Sequence, residues 1–123
     1  MVAIATRTYI ARSFADPDEI RLFDKGKVEL VHVGETVVCR YILQPGWRWA
    51  YHVRPIAKTA WCEASHFQYV VSGRLHIRMS DGKEFEIGPG EVVFLPPGHD
   101  GWVVGDAPVV LIDWGGAAEY AKK

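Results

Sequence analysis

The chain has 123 residues, of which 49% are hydrophobic and 24% charged, with a formal net charge of −1. This is the size and composition of one globular domain that can bury a core without disulfide or metal staples. Lys and Arg are scattered rather than clustered, which argues against nucleic acid, and no apolar run approaches the roughly 20 residues that cross a bilayer.

Residues 1–27 are mixed and polar and read as an N-terminal arm. Their first seven residues lack the basic head, apolar centre and cleavage site of a secretory leader. A cytoplasmic protein with Cys39 and Cys62 both reduced is therefore expected. Asp16-Pro17-Asp18-Glu19 has the order of a helix start, with Asp16 as N-cap and Pro17 at the first position. It predicts a short helix through about Phe23.

From Val28 the texture becomes β. Residues 28–33 and 36–43 are rich in β-branched and apolar types, and Gly34-Glu35 suits a two-residue turn between them. Pro45-Gly46 then breaks the chain before a predicted strand over 47–53 and a loop over 55–65. Further strands are predicted over 66–71, 74–79, 83–87, 91–95, 101–104 and 109–114, separated by Gly, Pro and Asp turns. Short strands at such spacing predict an all-β sandwich or barrel over 28–114. Residues 115–123 read as a short helix or tail.

Side chains alternate across a strand, so His66, Gln68 and Val70 share one face. Turned inward, they bring polar groups to an apolar interior. His76 falls with Arg74 and Arg78, which makes it a surface histidine. Trp47, Trp49 and Tyr51 share a face opposite Arg48, Ala50 and His52. If these aromatics fill the barrel, His52 points away; if they pack on another sheet or subunit, His52 enters the cavity.

Two motifs carry a resemblance. Gly90-x5-Pro96-x-Gly98 is followed by His99-Asp100, and Cys62-x3-His66-x6-Gly73 precedes it. The chain resembles a single-domain cupin, whose motifs run Gly-x5-His-x-His-x(3,4)-Glu-x6-Gly and Gly-x5-Pro-x-Gly-x2-His-x3-Asn. That resemblance implies a jelly-roll β-barrel, a homodimer, and a small molecule held in the barrel beside a divalent metal. His66 stands at the family's Glu position and Cys62 at its second His. Gly46-x5-His52 matches the start of the same motif, with Arg54 in place of a histidine. Both alignments hold only if 55–65 contains an insertion. The second-motif histidine falls on Gly101, and His99, two residues earlier, shares its face if the segment is extended. The final Asn position is Gly105.

The candidate metal ligands are thus Cys62, His66 and His99, with His52 as a fourth. Cys with two His is a borderline-soft set that suits zinc first, with iron next. A set of three leaves a position open for Lewis-acid chemistry, whereas four would be structural. Gln68 and Asp100 are candidate supporting or substrate-contacting groups. Three functions compete: a metal-dependent enzyme on a small molecule, a non-catalytic small-molecule sensor or carrier, and a metal-free oligomeric scaffold. Trp47, Trp49, Trp61 and Trp102 are the aromatic surface expected at a homodimer interface, to which the N-terminal arm could add a strand.

Overall fold

Alternating apolar residues and turn glycines shape most of the chain into short antiparallel strands. The structure, a computed structural model, describes residues 8–114 and 120–122. In chain order the strands are β1 (Glu19–Phe23), β2 (Gly26–Val33), β3 (Thr36–Leu43), β4 (His66–Ser72) and β5 (Leu75–Met79). They continue with β6 (Glu84–Ile87), β7 (Val92–Leu95), β8 (His99–Val103) and β9 (Val109–Asp113). A six-stranded sheet runs β1-β2-β3-β9-β4-β7 and a three-stranded sheet runs β6-β5-β8.

The core lies between the two sheets. Val28, Leu30, Tyr41, Leu43, Val70 and Leu111 face inward from the larger sheet, and Leu75, Ile77, Ile87 and Val103 from the smaller. Each of these side chains is almost fully removed from water, and such burial is the main term stabilising the fold. The arrangement is the two-sheet barrel that the turn spacing predicts, with the jelly-roll form that the cupin resemblance implies.

One glycine is needed by geometry. Gly73, between β4 and β5, has φ 80°, and a Cβ there would lie 2.4 Å from the Pro108 carbonyl oxygen. Only glycine combines that backbone conformation with so close an approach.

Three local expectations need comment. Residues 16–23 form no helix: Asp18 accepts a hydrogen bond from the His32 backbone N–H at 2.7 Å and pairs with Arg12 at 2.6 Å. That anchors the chain beside β2, and Glu19–Phe23 pairs with it as β1, in register Glu19↔Leu30. Ladder pairing outweighs a local capping signal. Residues 19–23 of the arm thus add a strand to the sheet of the same chain.

The strand expected over 47–53 is also absent. After the turn at Gly46, which has φ 90°, residues 49–52 form α1 (Trp49–His52), and α2 (Arg54–Ala57) follows. Asp100 Oδ1 accepts the Ala50 N–H at 3.1 Å, satisfying a donor in the first turn of α1. Trp47 and Trp49 are buried while Tyr51 is 66% exposed, so the three do not share a face. The expected helix or tail over 115–123 falls mostly outside the described residues, with 120–122 docked on the barrel.

Candidate metal centre

Strand alternation places His66 and Gln68 in the barrel interior from β4, and His99 joins them from the first position of β8. Cys62 arrives from the loop after α2. It is held to β8 by an isolated bridge to His99, with the Cys62 N–H donating to the His99 carbonyl at 2.8 Å. One ligand atom each from Cys62, His66 and His99 lies within 4.8 Å of the other two, and all three residues are buried. Cys62 Sγ is 3.8 Å from His66 Nε2.

Both imidazoles have their outer nitrogen occupied. His66 Nδ1 sits 2.5 Å from Asp113 Oδ2, and a carboxylate oxygen can only accept, so Nδ1 carries the proton. His99 Nδ1 likewise lies 2.9 Å from the Pro96 carbonyl oxygen. Each ring therefore keeps an Nε2 lone pair to offer. Fixing the tautomer from behind in this way is how metal-binding histidines are oriented.

Asp113, on β9, is completely buried. It also accepts from the Phe67 N–H and the Gln68 side-chain amide, each at 3.3 Å. Among the sequence-derived candidates it is missing. The signal was present: one carboxylate in Val-Val-Leu-Ile-Asp, on the same face as buried Leu111.

Burial sets the protonation of Cys62 and His99. Loss of water pushes the Cys62 thiol up to about 12. His99 is pushed down to about 4, first by burial and then by the neighbouring His66. Without a cation the thiol stays protonated and His99 neutral, as burial disfavours either charge.

The cluster opens on a cavity of about 30 Å³ inside the barrel, room for a water or two. Tyr41, Trp47 and Gln68 line it, and each has a buried polar atom (Tyr41 Oη, Trp47 Nε1, Gln68 Oε1) without a protein partner. Such atoms are uncommon in native interiors. Gly101, at the family's histidine position, lines the same cavity, so His99 and Gly101 do share a face.

The donor set fits a divalent cation. A thiolate and the Asp113 carboxylate together match its charge, and a thiolate with two imidazoles is a familiar zinc environment.

His52 does not join this group. Its Nδ1 accepts the Arg48 backbone N–H at 3.0 Å, and its Nε2 lies 3.5 Å from Asp24. Asp100 points away from the cluster: its Oδ2 meets Arg48 Nη2 at 2.8 Å, and its Oδ1 accepts from Ala50 and Gly101. It thereby ties α1 to β8. Gln68 faces the cavity and supports Asp113. His76 sits on the outer face, stacked on Trp102 with ring centroids 4.5 Å apart.

The Cupin domain family matches residues 51–115, and the chain belongs to that family. No curated protein matches the sequence at a significant level. Among solved structures, the polyketide cyclase RemF from Streptomyces resistomycificus superposes with a TM-score of 0.62 at 18% identity, covering 88% of this chain and 79% of that one. An oxalate decarboxylase from Lactobacillus farciminis, in a formate complex, gives 0.61 at 18% identity. There 83% of this chain is covered but only 32% of the decarboxylase, so this chain spans about a third of its length. A cupin-like protein from Thermotoga maritima gives 0.56 at 18% identity, with 85% and 77% covered. At such identities the likeness speaks for the fold alone. No helix among the described residues is long and apolar enough to cross a membrane.

Proposed function

We propose that this cupin holds a divalent metal ion, zinc in the first place and iron in the second, through Cys62, His66 and His99, and acts with it on a small molecule. The observation that carries this reading is the paired back-bonding of His66 to Asp113 and of His99 to Pro96, which leaves both Nε2 atoms free beside Cys62 Sγ. Three protein ligands leave room for a fourth from outside, the arrangement of a working rather than a structural site. When bound, such an ion supplies Lewis-acid polarisation to the small molecule beside it. Asp113 keeps His66 in the ligating tautomer, and Tyr41, Trp47 and Gln68 offer two donors and an acceptor to the molecule. Trp49 and Tyr120 restrict water.

Metal content by plasma mass spectrometry, on untagged protein beside a Cys62→Ser/His66→Ala double variant, tests this. About one ion per chain, lost in the variant, supports the centre. No metal in either folded protein would overturn it and favour a metal-free scaffold. With metal present, ligand binding without turnover would favour a sensor or carrier.

We further infer a cytoplasmic homodimer. Buried free thiols at Cys39 and Cys62 suit a reducing compartment. Of the four tryptophans expected at an interface, Trp47 and Trp49 are in the core, Trp102 lies between Arg48 and His76, and Trp61 is half-buried. The outer face of β4 and β7 exposes Phe67, Tyr69, Val71, Val92 and Phe94 together. Contiguous apolar surface of this kind is characteristic of subunit contacts.

A further inference from the structure

The two cupin motif alignments, through His52 and through His66, agree only if residues 55–65 contain an insertion. That segment comprises most of α2 and the loop from Lys58, which turns with φ 61°, to the bridge at Cys62. It walls a pocket of about 490 Å³, a size typical of small-molecule sites. Val53, Ile56, Ala57 and Ala64 form one side and Ala121 contributes from the C-terminal residues. Among the described residues its charged lining groups are Glu63 and Lys122, both exposed and of opposite sign.

The pocket abuts the candidate metal centre. Trp49, Cys62 and Tyr120 line both it and the inner cavity, so one layer of side chains separates them. On the inner side of that layer lie the three buried polar atoms without protein partners. The inner cavity, at about 30 Å³, is too small for anything beyond a ligand's polar head. Recognition of a larger body must therefore occur outside it.

We propose that the 53–65 segment builds a binding pocket for a mostly apolar small molecule of roughly ten to twenty non-hydrogen atoms, whose oxygen-bearing head points past Trp49 and Tyr120 toward Cys62. The direction of the head rests on the metal-centre reading. The pocket for the body does not. The apolar wall supplies contact area for rings or chains, and the inner donors meet the head's oxygen.

Calorimetric titration with 2-naphthoate tests this, using zinc-treated and chelator-treated protein whose metal content is measured in parallel. Saturable binding is expected in both, tighter by about fivefold or more with zinc in place, and far weaker for acetate, which lacks the body. Ile56→Arg, at a half-buried position of α2, and Ala64→Trp, which fills the pocket, should each weaken naphthoate by roughly tenfold or more. Metal content is measured in both, and Ile56→Arg, away from Cys62, His66 and His99, should keep the wild-type level. No saturable binding by folded, zinc-loaded protein would overturn the pocket while leaving the metal centre intact. Binding that survives both substitutions would place the probe elsewhere and overturn it as well. Equal affinity with and without bound zinc would overturn the orientation of the head. A protein that takes up no metal yet binds naphthoate in a substitution-sensitive way would uphold the pocket and sink the metal centre.

Discussion

Asp113 reaches His66 from a strand on which every other inward residue is apolar, and it does so without any contact with water. Asp113→Asn keeps the shape but can turn a donor toward His66 and release its tautomer. Metal affinity, measured by competition with a chromophoric chelator, should fall by about 10- to 100-fold. The Cys62 thiol, pushed up to about 12, must lose its proton to ligate. Between about pH 5 and 9 metal affinity is expected to gain roughly tenfold per pH unit from this thiol, and Cys62→Ser should flatten that slope by about one. His99, pushed down to about 4, acts on stability in metal-free protein. Its folded state resists protonation that the unfolded chain accepts near 6.5, so stability is fully present above that pH and is lost as pH falls toward 4. The loss should approach about 3 kcal/mol by urea denaturation, and His99→Asn should reduce it. Cys62, His66 and His99 were legible because motif spacing singles them out, the two histidines at strand starts and Cys62 in the loop before β4. Asp113 was not singled out, because its partner lies 47 residues away in the chain.

Between elements, Asp100 decides how α1 sits on β8. Removing its carboxylate in Asp100→Ala leaves the Ala50 and Gly101 N–H groups and Arg48 without their acceptor. A loss of about 1–3 kcal/mol is expected, with faster amide exchange at Ala50 than elsewhere in the barrel. Gly73→Ala forces a Cβ against the Pro108 carbonyl at positive φ and should destabilise by about 2 kcal/mol or more, read from the denaturation midpoint. Most strands were legible from alternation and turn residues, β3 to the residue. The failures at β1 and α1 share a cause. Asp16-Pro17 and the alternating 47–53 segment carry local signals, and contacts with β2 and Asp100 override them.

At the scale of the molecule, the larger sheet presents Phe67 beside Phe94 and Tyr69 beside Val92 on its outer face. If that face joins two copies, a charge in its middle is costly to bury. Light scattering at micromolar concentration should give a dimer for the native chain and a monomer for Phe67→Glu/Phe94→Glu, with the metal content of the two proteins equal. A monomeric native protein would exclude the dimer.

By itself the sequence determined the β architecture, the turns and the grouping of Cys62, His66 and His99, since these depend on period, spacing and residue type. Only the tertiary structure decided that His52 turns to Arg48 and Asp24, that Asp113 backs His66, and that 47–57 becomes two helical turns walling a pocket. Those outcomes depend on which distant group supplies a hydrogen bond or excludes water at a given point. Such long-range pairing leaves no periodic trace in the segment it reshapes.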